Sequence, residues 1–150
     1  MNGAADDRRL FIFAAIYLWG ALALDVVIAV LAWTHPELWF RLFHQTAPAT
    51  VMEVALLRRS ADQWAAFAAA QALTLALWRD HPQWLAIAAG VRFSDLATDL
   101  SYLLAAPGLT RLGWACLLPP APLNLIGFLM LLRCYRMAAK VRATGLKNLE

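Results

Sequence analysis

The chain has 150 residues, of which 62% are hydrophobic and 15% are charged. Soluble domains are typically about 45–50% apolar and about 25% charged. This composition is typical of an integral membrane protein and excludes an ordinary water-soluble domain. The net charge of +3 is modest. The basic residues form no stripe of the kind that binds nucleic acid, so membrane lipids are the expected surroundings and no nucleic-acid partner is expected.

Four apolar segments follow one another along the chain, at about residues 10–33, 61–78, 84–106 and 112–132. A helix needs ~20 mainly apolar residues to cross the ~30 Å hydrocarbon core of a bilayer. The first and fourth segments meet this requirement easily, whereas the second is short and the third carries three charged residues. We expect an all-α fold with a single integral membrane domain over residues 1–150. It would be a four-transmembrane-helix bundle with a basic tail at 133–150.

The distribution of basic residues predicts the orientation of these helices. Cytoplasmic connections carry an excess of Lys and Arg, and a cytoplasmic N-terminus would place eight such residues inside and four outside. We therefore expect both termini in the cytoplasm. The inner set is Arg8, Arg9, Arg79, Arg133, Arg136, Lys140, Arg142 and Lys147, and the outer set is Arg41, Arg58, Arg59 and Arg111.

The connection between the first and second segments predicts a short additional helix. Pro36 is suited to a helix start, and Leu38, Trp39, Leu42 and Phe43 then fall on one helical face. This pattern is typical of an amphipathic helix lying in the membrane interface. The same pattern would also serve a helix that only caps the bundle, and both interpretations remain open. In the fourth segment, Pro119, Pro120 and Pro122 predict a kink.

Charged residues inside the apolar segments are the best functional indication. Ionisable groups at membrane depth are costly and mark either function or specific assembly. Arg92, Asp95 and Asp99 lie in the third segment at helical spacing, so Arg92 can pair with an aspartate on the same helix. Each of the other segments adds a polar residue at a similar depth. The predicted cluster, or candidate pocket, contains Asp25, Gln71, Arg92, Asp95, Asp99, Tyr102 and Asn124.

Two interpretations of this cluster compete. It could hold the helices in register through interhelical hydrogen bonds, which average about 0.6 kcal/mol each in membranes. It could instead line a pocket for the polar head of an apolar ligand, or relay protons. The sequence does not identify catalytic residues.

Several site classes find no support in the sequence. His35, His44 and His81 lie at segment ends or in connections, which argues against an intramembrane haem with paired His ligands. No His, Cys and acid spacing indicates a metal site, and none is predicted. No cofactor is predicted beyond a bound lipid or quinone.

Short landmarks along nearly the whole chain carry a resemblance. They are LDVVIAVLAW, HPELWFRLFH, LLRRSADQW, VRFSDLATDLSYLL and the closing LLRCYR. In plan and in these landmarks the chain resembles the small bacterial DoxX-like four-helix membrane proteins. The resemblance implies a bacterial inner-membrane location and, at most, a small subunit associated with a quinone-linked oxidoreductase. It carries no catalytic residues to transfer. A more distant likeness is to the four-helix sterol-isomerase and sigma-2-like membrane proteins.

The functional expectation is a small non-catalytic membrane protein. It would be an accessory subunit of a larger membrane complex, or a binder of a lipid or quinone-like molecule. Other membrane subunits or further copies of the chain are the expected protein partners. The alternative is a membrane enzyme that acts on a sterol- or isoprenoid-like substrate through Asp25, Asp95 and Asp99. A proton or ion pathway is a third interpretation.

Overall fold

The computed structural model describes residues 3–45, 50–105 and 108–147. Within these ranges the regular secondary structure is helical, which confirms the prediction of an all-α protein. The helices are α1 (Gly3–Thr34), α2 (Pro36–Phe43), α3 (Val51–Leu77), α4 (Gln83–Ala105), α5 (Arg111–Leu117) and α6 (Pro120–Lys147).

The four long helices pack side by side. Helix α1 packs mainly against α3, and α4 mainly against α6. Additional contacts between α3 and α4 and between α1 and α6 close the group. Among the described residues, two helical segments are long and apolar enough to cross a membrane: Asp7–Thr34, with 28 residues, and Arg111–Arg142, with 32 residues.

Two helices extend well beyond the apolar segments from which they were predicted. Helix α3 begins at Val51, because Thr50 and Glu53 form a capping box before it: the Thr50 hydroxyl accepts from the Glu53 N–H, and the Glu53 carboxylate accepts from the Thr50 N–H. These hydrogen bonds from Thr50 hold the pKa of Glu53 below its usual value. Helix α6 continues to Lys147 through most of the predicted tail. The predicted limit of the third segment at residue 106 and the tail residues 148–150 lie outside the described residues.

Helix α2 exists as predicted, and Trp39 and Phe43 of its predicted apolar face belong to the apolar cluster at this end of the bundle. Trp39 is buried, with its ring 5.3 Å from that of Trp64 on α3 and 4.7 Å from that of Phe43. Leu38 is 37% exposed, whereas Phe40 joins Trp39 in the apolar cluster at this end of the bundle. Helix α2 therefore turns its Trp39 side toward α1 and α3, whereas Leu38 remains at the surface.

The segment after α2 is joined to the start of α5. The N–H of Gln45 donates to the Gly108 carbonyl at 2.6 Å, and the N–H of Thr110 donates to the Phe43 carbonyl at 3.1 Å. Gly113 lies against the Phe43 carbonyl so closely that a side chain there would collide with it. Helices α2 and α5 thus form a cap over one end of the long helices.

The fourth apolar segment is interrupted at its prolines. Helix α5 ends at Leu117 and α6 begins at Pro120. Proline lacks the N–H that an uninterrupted helix needs, and its ring crowds the preceding turn. The break lies in the region of the predicted kink, and α5 contacts both α2 and α6.

Candidate functional site

The interior of the long helices contains two layers with contrasting chemistry. Leu18 on α1, Leu85 on α4 and Leu131 on α6 are almost completely buried. They form the apolar layer, together with Ala14, Ala88, Ala89 and Cys134.

On the same three helices, at seven-residue spacing, lie Asp25, Arg92 and Asn124. Seven residues are two helical turns, or about 10 Å. These residues belong to the polar layer, whose full membership is Asp25, Gln71, Arg92, Asp95, Asp99 and Asn124.

Arg92 is the centre of the polar layer and is 3% exposed. Its Nη2 lies 2.8 Å from Oδ2 of Asp25 on α1 and 3.0 Å from Oδ2 of Asp95 on its own helix. Its Nη1 donates to Oδ1 of Asn124 on α6 at 3.3 Å. One guanidinium thereby connects three helices, as the planar fork of arginine allows.

Gln71 brings the remaining long helix, α3, into the layer. Its Nε2 donates to Oδ2 of Asp25 at 2.5 Å and to the Phe67 carbonyl at 3.1 Å. The same Asp25 oxygen therefore accepts from both Gln71 and Arg92. One turn further along α3, the buried Thr74 hydroxyl lies 2.8 Å from the Ala70 carbonyl and 3.1 Å from that of Trp84. This side of the layer thus connects α1, α3 and the start of α4.

Asp99 occupies the other side of the layer and is half-buried. Its Oδ2 accepts from Nδ2 of Asn124 at 2.8 Å. Oδ1 of Asn124 also accepts a hydrogen bond from the Tyr17 hydroxyl at 3.4 Å, so this amide connects α1 with α6. Gly127 lies one turn from Asn124, and a side chain there would collide with the Tyr17 phenol. The absence of a Cβ at Gly127 therefore makes room for Tyr17 beside Asn124.

The layer is polar and acidic rather than neutral. It contains the carboxylates of Asp25, Asp95 and Asp99 against the one guanidinium of Arg92. Among the described side chains, Oε1 of Gln71 and Nε of Arg92 are buried without a hydrogen-bond partner. Most of the hydrogen bonds and ion pairs that these side chains make join members of the layer, as an interhelical connection requires.

Tyr102 differs from the prediction that placed it in the cluster. Its hydroxyl lies 2.6 Å from Nε2 of the buried His44, in the segment that follows α2. The helical stripe Asp95–Asp99–Tyr102 is present, but Tyr102 lies at the level where the chain returns from α2 and is met by His44. Tyr102 and His44 therefore form a separate pair near the cap.

Sequence reasoning did not identify three of the polar residues that the structure brings in. Thr74 lies about one helical turn from Gln71, and Tyr17 lies about two turns from Asp25. This spacing was the signal that could have identified them. His44 carried no such signal, because its partner is on a helix 58 residues away in sequence. Among the described residues, no group of three or more His, Cys, Asp or Glu is placed to hold a metal ion.

A surface groove of about 420 Å³ lies between α1 and α3. Its walls are apolar except at one end, where Arg79 contributes, and none of the polar-layer residues lines it. The lining residues are Phe11, Ile12, Ala15, Trp19, Leu22, Ala72, Leu75, Ala76, Trp78 and Arg79.

Comparison of the chain with protein-family models, with curated proteins and with solved structures gives no match.

Proposed function

We propose that this chain is a small, non-catalytic integral membrane protein with four transmembrane helices, which serves as an accessory protein of the membrane. The observation that carries the proposal is the distribution of its side chains, which is the reverse of that in a soluble bundle. Arg92, Asp25 and Asp95 are inside, whereas large apolar side chains cover the outside. Several of these apolar side chains are more than half exposed, among them Phe13, Ile16, Trp19, Val27 and Ile126.

The two apolar segments support this interpretation through their low burial. Only 17% of the most apolar stretch of Asp7–Thr34 and 22% of that of Arg111–Arg142 are buried. A core helix of a soluble protein would be mostly buried, and an exposed apolar surface of this extent indicates contact with lipid or with another protein. α1 also contributes Asp25 to the polar layer, which makes it an integral part of the fold.

Helices α3 and α4 are long enough to cross as well. α3 has 27 residues and α4 has 23, against the ~20 that a crossing needs. The charges that lower the hydropathy of α4 are Arg92, Asp95 and Asp99, which the polar layer connects to one another and to α1 and α6. Charges that are paired inside a bundle do not have to enter lipid.

Within this proposal the polar layer fixes the register of the four helices. Apolar helices in lipid have little hydrophobic reason to prefer one another, so packing and hydrogen bonds decide which surfaces meet. The layer joins all four long helices through side chains that accept or donate in defined directions. The protein would then present its apolar outer surface to partner subunits or lipids.

The distribution of basic residues supports a cytoplasmic location for both termini. The resemblance to DoxX-like proteins supports the bacterial inner membrane and an association with other membrane subunits. A lipid or quinone-like molecule is the ligand class that suits an apolar outer surface.

Topology reporters inserted at four points test the four-helix proposal. The points are Gln45, Asp80 between α3 and α4, Leu109 before α5, and the C-terminus at Glu150. We expect Asp80 and Glu150 to report the cytoplasm, and Gln45 and Leu109 to report the opposite side. A common location for Gln45 and Asp80 would show that α3 does not cross, and the proposal would fail. The accessory role is tested by native purification, which should recover a defined partner subunit.

One observation favours a second candidate, an enzyme or a proton pathway acting through the carboxylates. The layer has two more carboxylates than guanidinium groups, and Asp99 is only half-buried with Asn124 as its hydrogen-bond donor. Asp99→Asn separates the candidates, since Asn can keep a hydrogen bond to Asn124 but cannot accept a proton. Loss of a measured proton flux or turnover in folded Asp99→Asn would favour the second candidate.

A further inference from the structure

The groove between α1 and α3 has the dimensions of a site for one lipid chain. Along α1 it extends from Phe11 to Leu22, a rise of about 16 Å at the usual spacing. That is about half of the ~30 Å hydrocarbon core, or one leaflet. Its volume of about 420 Å³ is within the about 300–1,000 Å³ of ligand pockets.

The groove is lined by both small and large apolar residues. Ala72 and Ala76 on α3 and Ala15 on α1 leave space between the helices. Trp19 and Leu22 stand at the end nearer the bundle centre. All of these side chains are apolar apart from the indole N–H. A hydrocarbon chain is the occupant that matches such a surface.

Arg79 lies at the other end of the groove. Trp78 stacks on Phe11 at 5.0 Å, and the guanidinium of Arg79 lies over the Trp78 ring at 5.7 Å. Arg8 is exposed and lies one turn before Phe11 and Ile12 on the same helix, so it shares their face. Arg8 of α1 and Arg79, which follows the end of α3, therefore lie at one end of an apolar groove, next to the aromatic pair of Phe11 and Trp78.

We propose that this groove binds one anionic phospholipid of the surrounding bilayer, with an acyl chain along α1 and α3 and the phosphate at Arg79 and Arg8. Arginine is suited to phosphate because its planar fork donates two parallel hydrogen bonds. Aromatic residues and arginine at the same level are typical of a helix end in the headgroup region. The inference rests on the proposed membrane location and adds a ligand class to it.

Native mass spectrometry of the full chain in mild detergent tests the site. The probes are dioleoyl phosphatidylglycerol and dioleoyl phosphatidylcholine, which have the same chains but differ in headgroup charge. We expect one phosphatidylglycerol per chain and weaker binding of phosphatidylcholine. Each arginine near an anionic surface strengthens binding, so the double variant Arg8→Gln/Arg79→Gln should weaken the binding of phosphatidylglycerol about tenfold or more.

A second pair of variants tests the apolar part of the groove. Ala76→Phe should fill the groove and remove bound phosphatidylglycerol. Ala66→Phe is the matched control, because Ala66 is exposed on the same helix and does not line the groove. Equal binding by Ala76→Phe and the parent would overturn the proposed chain position, and equal binding of the two lipids would overturn the role of the arginines.

Failure of this proposal is distinguishable from failure of the proposed function. A chain that shows the expected topology but retains no phosphatidylglycerol would overturn the lipid site alone. A chain whose reporters at Gln45 and Asp80 lie on one side of the membrane would overturn the four-helix proposal and the lipid site together.

Discussion

The apolar layer and the polar layer lie two turns apart on the same helices, yet they contribute differently to the fold. Leu18, Leu85 and Leu131 fill space, and another apolar side chain of similar volume could replace any of them at modest cost. Arg92 cannot be replaced in this way, because its contacts to Asp25 and Asn124 form only at one rotation of each helix about its axis and one position along that axis. The apolar layer therefore provides packing, whereas the polar layer specifies which arrangement of the helices is adopted.

The largest expected effect is the loss of Arg92. Arg92→Leu would leave the buried carboxylates of Asp25 and Asp95 without their cation, and breaking a buried pair in this way typically costs about 3–5 kcal/mol. We expect a clear drop in the unfolding temperature of the detergent-solubilised protein. The control is Arg136→Leu, which removes an exposed arginine and should change stability by no more than about 0.5 kcal/mol. An Arg92→Leu variant that melts like the parent would show that the layer does not hold the helices.

The apolar layer should respond less strongly. Leu131→Ala leaves a cavity. In the proposed membrane location the surrounding lipid is as apolar as leucine, so mainly the packing part of the usual cost remains, about 2 kcal/mol. The measurement is SDS-induced unfolding in mixed micelles. Leu129→Ala is the matched control on the same helix, where the side chain is 56% exposed. An equal loss in both variants would mean that the apolar layer is not packed as described.

The contact between Tyr17 and Gly127 should have an intermediate to small effect. Gly127→Ala places a methyl group where the Tyr17 phenol lies, and overpacking of this kind costs about 1–3 kcal/mol. Gly20→Ala is the control, since nothing lies near a Cβ at Gly20. Thermal melting of the two variants in parallel should separate them, with Gly20→Ala equal to the parent or slightly more stable. The reverse order would contradict the placement of Tyr17.

The smallest expected effect is that of Asp25→Asn. Asparagine keeps an oxygen that can accept from Gln71 or Arg92, and Asp95 remains as the counter-charge of Arg92. We expect a stability change below about 1 kcal/mol, within the ordinary worth of a hydrogen bond, and unchanged content of co-purifying lipids and subunits. A folded Asp25→Asn protein that loses a bound molecule would favour a ligand-binding role for the polar layer.

Much of this arrangement was predictable from the sequence, because polarity within an apolar segment is a strong signal. The spacing of Arg92 and Asp95 alone places them on one face of a helix. Asp25 is isolated in an apolar stretch, which indicates that it lies inside the bundle. The connection of Arg92 to Asp25 rather than only to its own helix could not be predicted, since it depends on how α1 and α4 are rotated. Which helices are neighbours is a tertiary property that spacing along one helix does not contain.

The positions of Tyr102 and Leu38 in the structure have a common physical cause. Both residues lie where the chain folds back at the cap, and there the contacts are made by α2 and the segment that follows it. Helical periodicity gives the members of a face but not the direction in which that face points. For Tyr102, the partner is His44, and for α2 the buried member is Trp39.

The central claim is that Asp25 and Arg92 are a buried interhelical pair, and a double-mutant cycle tests it most directly. Asp25→Asn is measured in the parent and in Arg92→Leu by SDS-induced unfolding, with the exposed Asp62→Asn as control. In the parent it should be neutral or slightly destabilising. In Arg92→Leu it should stabilise, because it removes an uncompensated carboxylate, with a coupling of about 1–3 kcal/mol. The same effect of Asp25→Asn in both backgrounds, within about 0.5 kcal/mol, would contradict the account.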